Sequence, residues 1–443
     1  MKNKKLYALL IMLLLGALVL AACGGSEEAA PAEEAAPAEE AAPAEEAAPA
    51  EEEEMAEEEE MAEEEAAPAE ASATLTILAD EKTGPILESF VPEYAAAAGI
   101  EVVVESVAFD DIGERVRNAI PAGEGPDIFI SAHDQIGNYI EGGLITPVDI
   151  SSVEDNIMES AVGAFTYNSE VFALPYASDH VALFRNADLV PEPVESWEEM
   201  MEIGAALMEE GTVENVTIFP NTGYHIYGLN TSFGGYIFGQ DADGNFIAED
   251  VGLDSPGFIA SGEAIQQWVD AGYVPSTADG AAADALFSEG GIPFVINGPW
   301  GLNTYRDAGV NYVVDPLPSG PEGPGAPFLG TRGFMVNAQS ENQLLAQAFL
   351  TELIASDEFM AEIQEKDPRI PAWIPTYEAM DDVDLAGFGV VTPYAQPMPN
   401  IPQMGAVWGA WGDAMQLVMN GEDVTESLTN GAEQVREAIA GGS

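Results

Sequence analysis

Over residues 73–443, short apolar runs alternate with stretches whose apolar positions recur every three to four residues. LTIL at 75–78 reads as a buried strand. A helix-like stretch over 85–98, closed by Gly99, leads to IEVVVE at 100–105, which reads as a second strand. A second helix over 111–120 passes through AGEGP into DIFIS at 127–131. Helices and strands thus alternate as in an open α/β sheet covered on both faces. Ser196-Trp197-Glu198-Glu199 has the spacing of a capping box and opens a helix to about 210. Residues 262–271 form another amphipathic helix. IPFVIN at 292–297 is apolar enough for a central strand, although Pro293 confines its first residues to an edge.

The first 72 residues follow another pattern. Lys2, Lys4 and Lys5 precede an apolar run over 6–20 that ends in Leu20-Ala21-Ala22-Cys23, and Cys23 is the only cysteine. A basic start, an apolar stretch too short to span a bilayer and small residues before a cysteine predict a lipoprotein signal peptide over 1–22. Cys23 would then be the lipidated residue anchoring the chain to the outer face of a membrane. Residues 23–72 repeat Glu, Ala and Pro with no aromatic or β-branched core former, and are expected to form a disordered tether. The remaining stretch of about 370 residues is too long for one compact core and predicts two lobes of interleaved chain.

The chain carries 78 acidic against 12 basic residues, a formal charge of -66. Nucleic acid and anionic lipid surfaces are repelled by such a field, so no nucleic-acid partner is expected. Lys82 and Lys366 are the only lysines beyond the signal and neither follows a glycine-rich turn, which removes a phosphate loop. His133, His180 and His225 stand singly, so each is expected to be a hydrogen-bonded loop residue rather than a metal ligand. QDADGNFIAED at 240–250 has alternating oxygen ligands, but Phe246 occupies the position where a calcium loop needs glycine. A hairpin turning on Asp243-Gly244 is expected there instead. No cofactor and no metal are predicted.

What remains is aromatic and acidic. Trp300 ends Asn297-Gly298-Pro299-Trp300 just past a strand, and Trp408 and Trp411 follow a proline-rich turn. An indole offers a flat apolar face and one N–H, which suits the C–H face of a pyranose and leaves sugar hydroxyls to carboxylates and amides. Trp197, Trp268 and Trp373 are expected in the core.

Several blocks in order resemble the maltose/maltodextrin-binding proteins of ABC transporters: GEGPDIFISAHDQIG at 123–137, LPY at 174–176, DVGLDSPG at 250–257, NGPW at 297–300 and MPNIPQM at 398–404. The resemblance implies a two-lobed periplasmic-binding-protein fold with a hinged interdomain cleft. It also implies an extracellular, membrane-anchored, monomeric receptor with no enzymatic activity, which binds oligosaccharide and delivers it to a separate permease. It places residues 73–180 with 329–380 in an N-terminal lobe and 181–328 with 381–443 in a C-terminal lobe, with hinges near 177–182, 328–334 and 380–387. It assigns Asp80, Glu81, Lys82, Asp134, Gln135, Asp179, Tyr224, Trp300, Met398 and Trp408 to the ligand. Ser131, Gln135 and Thr222 depart from residues typical of better-known members. Gly409 and Gly412 lack side chains seen in some relatives, a space that Trp411 would partly fill. A different oligosaccharide, such as a cyclodextrin or a trehalose-like sugar, and an adhesion or signalling lipoprotein are the alternatives. A two-carboxylate glycosidase built on Asp134 and Asp179 is the sharper rival, disfavoured because the binding-protein blocks are matched in order.

Overall fold

A computed structural model describes residues 72–219, 223–242, 244–277 and 280–441. Cys23, the signal, nearly all of the tether, Thr222 and Asp243 lie outside the described residues. The nine main strands are β1 Thr74–Asp80, β2 Glu101–Val107, β3 Ile128–Ala132, β4 Leu174–Asp179, β5 Ala182–Asn186, β6 Phe294–Asn297, β7 Tyr312–Asp315, β8 Phe328–Asn337 and β9 Ile370–Pro371.

One sheet runs in the order β9-β4-β8-β3-β1-β2. Its β1-β2 and β1-β3 pairs are parallel, as the βαβ opening predicts, whereas β8 enters antiparallel between β3 and β4. The sheet is therefore mixed, because β8 returns from a distant part of the chain and not through a crossover helix. The helix Thr83–Ala98 ends on Gly99 at φ 68, where a left-handed residue lets its N–H close on Ala95. A second, three-stranded sheet has the antiparallel order β6-β5-β7, with β6 at an edge as Pro293 requires. Here Ser196 caps the helix Trp197–Glu209, accepting from the Glu199 N–H. The helix predicted from 262 instead starts at Pro256, six residues earlier. Ser255 caps it and Pro256 sits in its first turn, a start signal that lies ahead of the amphipathic periodicity. The hairpin Phe238–Gln240 and Phe246–Val251 turns through Gly244 at φ 85.

Each sheet has its own apolar interior. Around the large sheet lie Leu75, Ile77, Ile128, Tyr176, Phe334 and Trp373; around the small sheet and its helices lie Leu183, Trp197, Phe258, Phe294 and Trp411. The main chain passes from the first sheet to the second between Asp179 and Ala182, and from the second to the first as it enters β8. Helix Val383–Val391 packs Leu385, Phe388 and Val391 against Phe184 of the small sheet, after β9 has paired with β4.

The surface charge has a consequence for stability. Among the described residues, every Lys and Arg from Lys82 onward except Arg117 lies within 4.0 Å of a carboxylate: Lys82, Arg115, Arg185, Arg306, Arg332, Lys366, Arg369 and Arg436. The many remaining acids have no cation to meet and repel one another. Salt shortens that repulsion to a few ångströms, so the melting temperature should rise by about 2 to 4 °C between 0.05 and 1 M NaCl. A melting temperature that is flat or falling over that range would show that the acids are already compensated.

Candidate functional site

Trp300, Trp408 and Tyr224 are half-buried and pack on the small-sheet core. Asp80 and Asp134 belong to the large-sheet side, with Asp179 ending β4 where the chain leaves that sheet. The two sets meet. Trp408 donates its indole N–H to Asp134 Oδ2 at 3.0 Å, and the same oxygen accepts from Gln135 at 2.6 Å. Tyr224 donates its hydroxyl to Asp179, whose Oδ1 and backbone oxygen both lie at 3.0 Å. Lys82 reaches across to the Trp300 carbonyl at 2.8 Å. These contacts tie residues packed on one core to residues of the other.

Local sequence explains how the rings are presented. Asn297 accepts the Gly298 N–H on its own side-chain oxygen and donates to Asp284 and Tyr305, all at 2.8 Å, which fixes the end of β6. A Cβ on Gly298 would lie 2.0 Å from the Trp300 ring, so only glycine lets the indole fold back on the turn. Pro299 then starts a one-turn 3-10 helix. Gly330 on β8 has a related role: a Cβ there would come within 3.0 Å of Asp179 Oδ1 and 3.2 Å of the Tyr224 hydroxyl. Trp408 and Trp411 are three residues apart on the helix Gly405–Met419 and stack at 6.0 Å and 15°. Trp411 does not fill the cleft space expected of it. It is fully buried, with Phe258 at 5.4 Å, because of two neighbours on one helix face it is the one turned towards the core.

The charged centre is larger than the sequence indicates. Arg369 bonds Asp179 through Nη1 and Asp367 through Nε at 2.6 Å, and its guanidinium lies 5.5 Å from the Trp300 ring centre. Arg332 approaches Asp80 at 3.6 Å and Asp179 at 3.5 Å, while its planar head stacks 3.6 Å over Phe109. Three carboxylates therefore share two guanidinium groups and Lys82, which is 3.9 Å from Asp367. Burial alone would raise the Asp80 carboxyl. Arg332, the Thr83 N–H, Arg369 and the Lys82 N–H outweigh burial and hold it below the usual carboxylate range. Burial and the Asp179 charge push the Tyr224 phenol well above its usual value, so it stays a donor. Asp367 Oδ1 and the Tyr176 hydroxyl are buried without a hydrogen-bond partner among the described residues. Such atoms are completed by water or by a ligand hydroxyl.

The other expected site residues are placed less centrally. Glu81 is exposed and accepts the Phe109 N–H, and Gln135 spans from Asp134 towards Arg117. Met398 is buried; its carbonyl meets His133 Nε2 at 3.2 Å while His133 Nδ1 accepts from Thr331, which sets the tautomer with the proton on Nε2. Arg332, Arg369 and Asp367 escaped sequence reading because an isolated arginine in a strand or turn carries no periodic signal.

Two of the histidines depart from the expected loop positions: His133 opens a 3-10 turn and His225 lies on the helix Gly223–Ser232. Burial pushes His225 down to about 4, against the opposing pull of Asn297 and Asp179. Below pH 6.5 an unfolded histidine takes up a proton that folded His225 refuses. Stability is therefore complete above pH 6.5 and is lost as pH falls towards 4, by about 2 kcal/mol at pH 5. Urea unfolding at pH 7 and pH 5 measures the loss, and His225→Gln should reduce it. Equal losses in variant and wild type would remove His225 as the cause.

Residues 89–385 match the family model described as bacterial extracellular solute-binding protein. A maltotriose-binding protein of Pyrococcus abyssi is 31% identical over 75% of this chain and 74% of its own length. A galactooligosaccharide-binding protein of Bacillus subtilis is 26% identical over 82% of this chain and 89% of its own. A maltooligosaccharide ABC transporter solute-binding lipoprotein of Streptococcus pneumoniae is 26% identical over 81% and 86%. With two α/β sheets joined by repeated chain passages, polar and aromatic contacts between their cores and this extent of match, the chain belongs to the bacterial extracellular solute-binding protein family.

Proposed function

We propose that this chain is the sugar-binding subunit of an ABC importer, taking maltose- and maltodextrin-type oligosaccharides and handing them to a permease made of other chains. The observation that carries this reading is the meeting of aromatic rings from one core with carboxylates from the other, Trp408 with Asp134 and Tyr224 with Asp179. Rings stack on pyranose faces and buried carboxylates accept sugar hydroxyls. The names of the relatives from Pyrococcus abyssi and Streptococcus pneumoniae support the same class.

In this proposal residues 73–180 with 329–380 form one lobe and 181–328 with 381–443 the other, and sugar stabilises the closed form by touching both. Asp80, Glu81, Lys82, Asp134, Gln135 and Asp179 serve the ligand from the first side; Tyr224, Trp300, Met398 and Trp408 serve it from the second. The chain acts outside the cell as a monomer, lipid-anchored at Cys23 and tethered by residues 23–72, a reading supported by the streptococcal relative's designation as a lipoprotein.

A thermal-shift panel of maltose, maltotriose, cyclodextrin, trehalose and non-sugar solutes tests the reading. Stabilisation grows with ligand excess over the dissociation constant, so a true ligand shifts the transition at millimolar concentration. No shift with any sugar would sink it. A galacto-configured oligosaccharide is the second reading, favoured by the Bacillus subtilis relative that matches over 82% of this chain. Binding without turnover is also expected: Asp179 is engaged by Arg369, Arg332 and Tyr224, an arrangement for holding. Glucose or maltose released from maltotriose by the purified protein would replace binding with hydrolysis.

A further inference from the structure

The helix Ile136–Glu141, on the large-sheet side, lies against residues 400–405, which lead from the small-sheet core into the helix that carries Trp408. The two meet backbone to backbone. A Cβ on Gly137 would lie 2.5 Å from Pro402 N, 2.7 Å from the Ile401 carbonyl carbon and 2.8 Å from Asn400 O. Carbon atoms not bonded to each other settle at about 3.5 to 4.0 Å, so no side chain fits at 137 while these elements touch. Alanine favours the helical backbone over glycine, so the close approach and not the helix accounts for glycine here. Neither flank can give way. Ile136 and Tyr139 are fully buried in the large-sheet interior, where Tyr139 meets the Ser131 hydroxyl at 3.2 Å and the Phe129 ring at 5.6 Å. Met398 and Met404 are buried on the opposite side, and Pro402 opens the 3-10 turn between them.

We infer that Gly137 is the residue that lets the two sides close on sugar: its missing side chain allows the helix to seat on residues 400–402, and a Cβ there holds the cores apart. The inference rests on the oligosaccharide reading above and adds to it a positioning residue, which acts through Asp134 and Trp408. Asp134 is three residues from Gly137, and Trp408 is three from Gly405. Moving 2.5 Å out to ordinary contact parts the two elements by about 1 Å, which stretches the 3.0 Å bond from Trp408 to Asp134 beyond hydrogen-bond length. The 3.2 Å contact from His133 to the Met398 carbonyl crosses at the same place and is strained with it. Gly405 supplies the comparison. A Cβ there would lie 1.9 Å from Asn138 Nδ2, the end of a half-buried side chain that can turn aside, so alanine at 405 is accommodated without parting the cores.

The test compares the full chain as wild type, Gly137→Ala and Gly405→Ala, by calorimetric titration with maltose and maltotriose, by melting without sugar, and by hydrogen exchange of peptides covering 136–141 and 400–405. Gly137→Ala should lower affinity at least tenfold and exchange faster in both peptides at equal sugar concentration, while its melting temperature without sugar is no lower than that of wild type. Gly405→Ala should change affinity less than threefold. Affinity within threefold of wild type in Gly137→Ala would overturn the inference, since the methyl would then be absorbed locally. A lower melting temperature without sugar, or failure to fold, would overturn it too, because the contact would then be a permanent part of the fold. If the wild type binds neither sugar, the oligosaccharide reading loses its support, and exchange without sugar decides for Gly137: faster in Gly137→Ala at both peptides sustains its role in bringing the cores together, and equal rates overturn it.

Discussion

Replacing Arg369 with glutamine should lower the free energy of unfolding by about 3 to 5 kcal/mol. Its guanidinium is 3% exposed and bonds two buried carboxylates, Asp179 and Asp367, whose backbones lie on different elements. Removing one partner of a buried pair leaves charge without compensation, and this costs more than the pair itself contributes. Glutamine has two N–H donors where arginine has five, is shorter and carries no charge. Arg332, 3.5 Å from Asp179, and Lys82, 3.9 Å from Asp367, offer partial relief, which puts the expected loss nearer the lower end. Lysine at 369 should recover part of it, since a point charge meets one acid but cannot span both as a planar fork does. Urea unfolding of the three proteins measures this directly. A loss under about 1 kcal/mol in Arg369→Gln would mean that water already compensates these acids.

Trp300→Ala and Trp408→Ala should each weaken sugar binding by about 1 to 3 kcal/mol, roughly five- to 150-fold in dissociation constant. Both rings are half-buried, and each is hydrogen-bonded across to the large-sheet side, Trp300 through its carbonyl and Trp408 through its indole N–H. The carbonyl survives truncation at 300, so that variant keeps the Lys82 tie and removes the ring, both its stacking and its contact with the Arg369 guanidinium. Truncation at 408 removes both ring and donor. Trp408→Phe separates them, keeping most of the apolar face and losing the bond to Asp134. Titration with the sugar that shifts the melting transition most supplies the comparison. Undiminished affinity in both alanine variants would refute the stacking assignment. Unchanged affinity in Trp408→Phe would refute only the part played by the N–H.

The elements that could be read from the chain alone are those in which neighbours in sequence are neighbours in space. The βαβ opening, the Gly99 helix end and the Ser196 cap depend on residues a few positions apart, and the alternation of apolar runs is local as well. The presentation of Trp300 is equally local, since Asn297, Gly298 and Pro299 shape one turn and the missing Cβ of Gly298 makes room for the ring. The antiparallel entry of β8 was not legible in this way, nor was the inward turn of Trp411. Each depends on which distant segment lies opposite.

The same division applies to the site. Sequence by itself determined the α/β class, the acidic character, the aromatic residues held at turns and the family blocks. It did not determine that Asp179 is held by Arg369, 190 residues away, that Lys82 meets the Trp300 carbonyl across 218, or that Trp408 meets Asp134 across 274. Periodicity assigns a side chain to a face of its own helix or strand and carries no information about the element that faces it. Those partners are fixed by sheet order and by the passages of the chain between two cores, so only the tertiary structure decided which charges are compensated and which buried polar atoms have no partner among the described residues.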